Sequence, residues 1–454
     1  MTTPDFPVAF QRRFALQLGD STQAYFDAMD ALPVRGLRQN PFKQPDIPLE
    51  TLVDGLGESV PWAASARYLS MNSTAGAHAL HEAGAYYIQE PSAMLPATLL
   101  AVKPGETVLD LCAAPGGKST QLAAAMAGMG TLVCNEPVPG RAAILSRNLE
   151  RMGVTNSVVV SMDPSRLAEK WPLLFDAILV DAPCSGEGMF RRHPETRLEW
   201  DACAPTHCAA RQLHICESAL AMLKVGGRLC YSTCTFSEEE NEHVIAALRK
   251  AHPALSPLPY SVSVGHGKAL SAQDGQVHLY PHEIAGEGHF AALLQKTGAT
   301  DTQSCKPCSL LAPASTLAAP TAAQTDGYSA FCQTYAHGAM PTPNAALGDA
   351  LLAAPPLPPL SGVKVLRAGL TLGQLKGKVF APDHALAMAA PMPPLPAVSL
   401  DTAQAARFQR GEVLPAPAGV SGYGIAAYRG LALGFFKASE GQLKNHYPKG
   451  LRRP

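Results

Sequence analysis

An α/β protein built on a doubly wound, mostly parallel sheet is predicted by three features of this sequence. Apolar strand, polar loop and amphipathic helix alternate from about residue 89 to 297. Acids stand at or near the ends of four of the five proposed strands. A glycine turn, "LDLCAAPGGKST", follows the first of them.

The proposed strands cover residues 107–112, 131–136, 158–163, 177–181 and 228–231. Asp110 lies near the end of the first, Glu136, Asp163 and Asp181 close the next three, and the fifth leads into Cys234. Open parallel sheets bind ligands outside the carboxyl ends of their strands, so this row of polar residues marks a ligand crevice. Gly116 and Gly117 let a ligand approach the backbone where a helix begins near Ser119. A P-loop needs glycine five positions before Gly117, where Cys112 stands. The dinucleotide fingerprint fails as well, at Ala114 and Pro115. Glu136 nevertheless follows Gly117 by 19 residues, near the spacing at which an acid reaches ribose hydroxyls. A nucleoside without a pyrophosphate fits this pattern, and S-adenosylmethionine is one.

With 454 residues the chain is too long for one core, and two or three domains are expected. Residues 1–88 mix helical patterns with a basic extended piece, "PVRGLRQNPFK", whose Arg35, Arg38 and Lys43 line an RNA path or a plain solvated face. Residues 298–324 are Ala/Pro/Ser/Thr-rich and read as a linker, followed by an extension over 325–394 and a small module over 395–454. From Tyr423 onward six bases face the single acid Glu440, a charge bias suited to a polyanion. Eleven scattered cysteines fit a reducing cytoplasm better than a disulfide framework. Neither a signal-peptide core nor a bilayer-length apolar run is present, so a cytoplasmic protein without a membrane partner is expected.

Two cysteines stand at strand exits. In "VDAPCSGEGMFRRHP" (180–194), Cys184 occupies the place where amino-methylating enzymes carry an aromatic residue, which points to covalent chemistry on the substrate. In "LCYSTCTFSEEENEHV" (229–244), Cys234 follows the last strand. There Ser237 and Glu240 read as a capping box, and Val244, Ile245 and Leu248 as the apolar face of the helix it starts.

These motifs, with "NEPVPGRAAILSRNLER" (135–151) and "YPHEIAGEGHFAALLQK" (280–296), resemble the Nol/Nop/Sun family of RNA (cytosine-5) methyltransferases. The C-terminal "GLALGFFKASEGQLKNHYPKGLR" is similar to the RsmF-type branch, which methylates bacterial small-subunit ribosomal RNA. The resemblance implies a Rossmann-like class I methyltransferase sheet, an N-terminal mixed α/β RNA-binding domain (1–88), a catalytic domain (89–297), and a C-terminal RNA-binding extension ending in a β-rich, PUA-like module. It implies Cys234 as nucleophile toward carbon 6 of cytosine, Cys184 in product release, and Asp181 at the cytosine ring nitrogen. Cys112, Ala113, Ala114, Pro115, Gly116, Gly117, Lys118, Glu136, Asp163 and Asp181 match the family's S-adenosylmethionine positions, with Arg141 as a further contact. The expected substrate is ribosomal RNA, taken single-stranded or with the base flipped, by a monomer. The alternatives are a transfer-RNA cytosine or a non-catalytic ribosome-assembly factor.

Two further groups suggest metal and are read otherwise. Cys203, His207, Cys208, His214 and Cys216 lack an outward CxxC pair and are followed by apolar residues at helical spacing, which favours an ordinary helix, and Cys305–Cys308 is a single CxxC without a partner. No metal is expected.

Overall fold

A computed structural model of the chain describes residues 5–265, 267–298 and 307–452. Its centre is a nine-stranded sheet. Five strands form the parallel middle, in the spatial order Leu223–Thr233, Phe175–Asp181, Thr107–Asp110, Thr131–Asn135, Ser157–Val160. Three of them, "TVLD", "TLVCN" and "SVVV", are buried along their whole length, as both faces of a helix-covered sheet require. Thr107–Asp110 pairs on one side with Thr131–Asn135 and on the other with Phe175–Asp181, so the connections diverge there and open a crevice at the carboxyl ends. The edges are antiparallel: His289–Lys296 pairs with Leu223–Thr233, and Val365–Ala368 with Ser157–Val160.

That last pairing departs from a picture of separate modules. The segment 325–394 contributes a strand to the catalytic sheet, with Val365 opposite Val160 and Ala368 opposite Val158. The described part of the Pro-rich stretch before it also lies on the core. The Cys308 amide donates to the Pro172 carbonyl at 2.8 Å, and Leu311 bridges to Leu357. Cys305 lies outside the described residues.

The N-terminal part is a helical pair, Val8–Leu18 and Thr22–Asp30, followed by a four-stranded antiparallel sheet that includes Arg35–Gln39 and Tyr86–Gln89. The C-terminal module is a five-stranded sheet built around Gly422–Tyr428 and Leu431–Ser439. Leu37, Leu80 and Tyr86 share one apolar cluster with Phe408, Tyr428, Phe436 and Tyr447, so the two ends of the chain pack together.

Two N-terminal bases stand neither on an RNA path nor on a solvated face. Arg38 is 1% exposed and donates to the Gly117 carbonyl at 3.0 Å and to Thr120 Oγ1 at 2.7 Å. Lys43 is 5% exposed and donates to the carbonyls of Ala83 and Arg151, both at 3.0 Å. Their long stems cross from one domain to the other, where backbone carbonyls accept from their charged ends. Arg35 holds the carbonyls of Ser70, Met71 and Ser73. The cysteine- and histidine-bearing stretch 203–216 runs into the helix Ala204–Met222, with Cys216 fully buried. Among the described residues no helix is long and apolar enough to cross a membrane.

Candidate active site

The first wall of the crevice is the turn after Thr107–Asp110. The Leu111 amide donates to the Leu179 carbonyl and the Ala113 amide to the Asn135 carbonyl, both at 2.9 Å, which stitches the turn to both neighbouring strands. Gly116 has φ +112°, a left-handed conformation that side chains rarely adopt, and precedes the helix Gly117–Ala125. A Cβ on Gly117 would press within 3.2–3.3 Å of Gln89 and Tyr87, so the bare backbone faces the cleft. That cleft has a volume of about 330 Å³ and is lined from 112 to 118 by Cys112, Ala113, Ala114, Pro115, Gly117 and Lys118. Burial pushes the Cys112 thiol well up. Arg141 reaches over the turn to the Ala114 carbonyl at 3.1 Å, and Asn148 to that of Pro115 at 2.8 Å.

Two expected acids stand apart from this lining. Glu136 is 2% exposed and engages the Val138 amide at 3.0 Å and Arg141 at 3.4 Å. Asp163 is exposed and caps the helix Pro164–Lys170 by accepting from the Ser165 amide at 2.9 Å.

The floor is a charged cluster. Asp181 accepts from Lys118 Nζ at 2.7 Å and Ser232 Oγ at 2.9 Å, with His289 Nε2 at 3.5 Å. Burial alone would push the Asp181 carboxyl up, but the Lys118 ammonium and His289 hold it well below the usual carboxylate range. Lys118, disfavoured as a cation by burial, is raised by Asp181. Burial and Lys118 push the His289 ring down, so it is neutral at neutral pH. Beneath them burial pushes fully buried Asp110 up to about 7, against the hydrogen bond it accepts from Ser119 at 2.7 Å. Its second oxygen has no hydrogen-bond partner among the described residues.

The far wall carries Cys234, with Cys184 packed against it. Cys184 Sγ and Cys234 Sγ lie 3.4 Å apart on loops brought together by long-range contacts. The Gly188 amide donates to the Cys234 carbonyl at 2.8 Å, and a Cβ on Gly188 would sit within 2.8 Å of that oxygen. Gly288, at φ +104°, packs so closely on Phe236 that a Cβ would come within 2.3 Å of the ring. Hydrogen bonding to Cys234, then burial, then the charge of Cys234 raise the Cys184 thiol well above its ordinary value.

The capping box does not form. The helix after Cys234 starts at Glu242 behind Asn241, with no side-chain cap, so Cys234 is not at a helix N-terminus. Ser237 Oγ donates to Glu239 instead, at 2.7 Å. Glu240 turns inward, fully buried, and accepts from the Ser185 amide at 3.0 Å, from the Ser185 hydroxyl and from Gln212 Nε2 at 2.8 Å. Three donors from the neighbouring loop and helix satisfy this carboxylate better than one frayed helical amide. The expected apolar face does form, with Val244, Ile245 and Leu248 buried. His289 and Ser232 belong to the site and were not singled out from sequence, and Glu240 was expected as a helix cap rather than as part of the site. "GEGHF" carried the only available signal for His289, a polar side chain after a Gly-x-Gly turn and before an apolar run.

Models of known families cover most of the chain. The model described as 16S rRNA methyltransferase RsmB/F matches residues 97–295, and the N-terminal domain of 16S rRNA methyltransferase RsmF matches 6–91. The RsmF rRNA methyltransferase first C-terminal domain matches 330–389, and the methyltransferase RsmF PUA domain 395–453. A curated relative from Klebsiella pneumoniae, ribosomal RNA small subunit methyltransferase F, is 33% identical over 99% of this chain and 97% of its own. The protein of that name from Escherichia coli O1:K1 is 38% identical over 53% of this chain and 52% of its own. Among solved structures, a methyltransferase homolog protein from Pyrococcus horikoshii is 29% identical with a TM-score of 0.55, over 64% of this chain and 95% of that one.

Proposed function

The chain belongs to the family of 16S rRNA methyltransferases RsmB/F, and from that premise we propose that it methylates carbon 5 of a cytosine in small-subunit ribosomal RNA through a covalent thiol adduct. The observation that carries this reading is the contact of Cys184 Sγ with Cys234 Sγ, 3.4 Å apart, where Cys234 lines the cleft together with the Lys118–Asp181 pair.

Carbon 5 of cytosine is a poor nucleophile. Addition of the Cys234 thiolate to carbon 6 converts the ring to an enamine whose carbon 5 attacks an electrophilic methyl group. S-adenosylmethionine, bound in the glycine-turn half of the cleft, supplies that methyl as a sulfonium. The residues there fit it: the backbone of 112–118 is open to a close approach at Gly117, and the buried Asp110 oxygen without a hydrogen-bond partner among the described residues offers an acceptor or, protonated, a donor. As sulfur adds to carbon 6 the ring nitrogen takes up the proton that Cys234 gave up, and Asp181, kept ionised by Lys118, accepts a hydrogen bond from that N–H and stabilises the adduct.

Release then requires removal of the carbon 5 proton and cleavage of the bond between sulfur and carbon 6. Cys184 suits this second step because of what raises its pKa. The hydrogen bond and charge of Cys234 are among the causes, and both change once Cys234 becomes a thioether. Cys184 therefore stays protonated while Cys234 attacks, and gives up its proton more readily after the adduct has formed. As a thiolate it takes the carbon 5 proton, and the electrons of that bond expel the Cys234 thiolate.

The test is methylation of small-subunit ribosomal RNA with labelled S-adenosylmethionine, followed by bisulfite mapping. One or more cytosines resistant to conversion are expected. Label on another base or another cytosine atom, or full activity in Cys234→Ala, would overturn the proposal.

A further inference from the structure

The helical pair near the N-terminus packs not on the sheet it precedes but on the two cysteine loops. Its cluster of Phe6, Phe10, Phe14, Tyr25 and Met29 is completed by Phe190, six residues after Cys184, and Phe236, two residues after Cys234. Phe10 meets Phe190 with centroids 5.1 Å apart, and Tyr25 meets Phe236 at 5.5 Å.

Polar contacts grip the same loops. Glu187, fully buried, accepts from Arg13, from Trp200 Nε1 at 3.2 Å and from the Phe236 amide at 3.2 Å. Gln17 Nε2 donates to the Phe236 carbonyl at 2.9 Å. The peptide groups on either side of Phe236 are therefore both held, one by Glu187 under Arg13 and one by Gln17. Helix Val8–Leu18 supplies both Arg13 and Gln17, and its only described main-chain route to the catalytic domain runs through the rest of the N-terminal part.

We propose that residues 6–30 are a positioning clamp for the reaction: Arg13 and Gln17, acting through Glu187 and Phe236, fix the loop of Cys234 against that of Cys184. The role in chemistry rests on Cys234 being the attacking thiol. It gives the N-terminal helices a task distinct from holding RNA. The two tasks separate experimentally, because a clamp acts on the rate at saturating substrate and an RNA contact acts on affinity.

The experiment uses the full chain with Arg13→Gln, Gln17→Ala and the conservative Arg13→Lys. Four quantities are read: the single-turnover methylation rate with saturating small-subunit ribosomal RNA, the Kd for RNA, the Kd for S-adenosylmethionine, and the rate at which iodoacetamide alkylates Cys234. A displacement of the thiol by a fraction of an ångström should slow single turnover about tenfold in Arg13→Gln and about threefold in Gln17→Ala. Both Kd values should stay within about twofold, and Arg13→Lys should recover most of the rate. Cys234 alkylation should change in step with the loss of rate, and this readout needs no catalysis. If Arg13→Gln does not fold, Gln17→Ala decides. Unchanged turnover and alkylation in Gln17→Ala would overturn the clamp, as would a weakened RNA Kd with an unchanged rate at saturation. Should Cys234→Ala retain activity, the cysteine chemistry fails, while the alkylation readout still tests the clamp by itself.

Discussion

The two halves of the cleft are built in different ways. The glycine-turn half is local: Asp110 to Lys118 is nine residues of one turn, held by the strands on either side. The cysteine half is assembled from segments far apart in sequence, with Arg13 and Gln17, Cys184 to Phe190, Cys234 to Glu240, and Gly288–His289 all meeting there. A local turn carries its conformation in its own glycines and strand ends. An assembled wall depends on whatever packs behind it, so its geometry can be lost by changes that never touch the thiols.

The largest effect should come from the thiols themselves, and it separates the two loops. Cys234→Ala should abolish methylation, a loss of at least about 10³-fold, and leave no covalent complex. Cys184→Ala should still attack and transfer methyl but stall at release. It should therefore accumulate a protein–RNA adduct that survives denaturing electrophoresis and disappears with RNase. An adduct in Cys234→Ala and none in Cys184→Ala would exchange the roles of the two walls.

Next comes the brace behind the glycine turn. Arg38→Met removes a buried cation from the Gly117 carbonyl and Thr120 hydroxyl while keeping the stem that fills the domain boundary. A loss of about 1 kcal/mol in unfolding free energy is expected, since two hydrogen bonds go while the Thr120 hydroxyl keeps its own bond to the half-buried Gly117 carbonyl. S-adenosylmethionine affinity should fall with it. Denaturant melts and calorimetry check both, and an unchanged affinity would show that the turn holds its shape without the N-terminal domain.

These contacts also mark what the sequence could and could not disclose. The glycine turn was legible because it is short and its chemistry is local, and the strand ends were half so, since Asp110 and Asp181 line the cleft while Glu136 and Asp163 do not. Arg38 and Lys43 were not legible, because a base in a basic stretch looks the same whether it meets phosphate or a carbonyl across a domain boundary. Glu240 was misread for a related reason. Ser237 and Glu240 have the spacing of a capping box, but the competing donors Ser185 and Gln212 are remote in sequence and only the fold brings them near. The strand Val365–Ala368 was hidden in the same way, since an edge strand supplied from a later domain has no preceding helix to announce it.

A pH-dependent effect tests the electrostatics of the local half. The Asp110 carboxyl is pushed up to about 7 by burial, above its unfolded value of about 3.9. The folded state then holds the proton more tightly than the unfolded chain, so this group favours folding below the unfolded pKa. That contribution is lost as pH rises from about 4 to 7. Asp110→Asn keeps the Ser119 hydrogen bond and cannot ionise. It should gain on the order of 2 kcal/mol over the parent at pH 8, and the gain should vanish near pH 4. Melts of the cofactor-free protein across that range decide it, and a gain independent of pH would rule out ionisation as the cause.

The smallest expected change is at Asp163, where a cofactor contact and a helix cap make opposite demands on one substitution. As a cap, Asp163 accepts from the Ser165 amide at 2.9 Å at the start of Pro164–Lys170. Asparagine caps about as well as aspartate, while alanine does not, so capping predicts that Asp163→Asn is nearly silent and Asp163→Ala costs about 1 kcal/mol. A contact to the cofactor through the carboxylate predicts the reverse weighting. Asp163→Asn would then raise the KM for S-adenosylmethionine nearly as much as Asp163→Ala, with stability untouched. Asp163 is exposed and stands outside the cleft lining, and the capping pattern is the one expected. A KM that rises severalfold in Asp163→Asn at an unchanged melting temperature would extend the local half of the cleft by one more strand end.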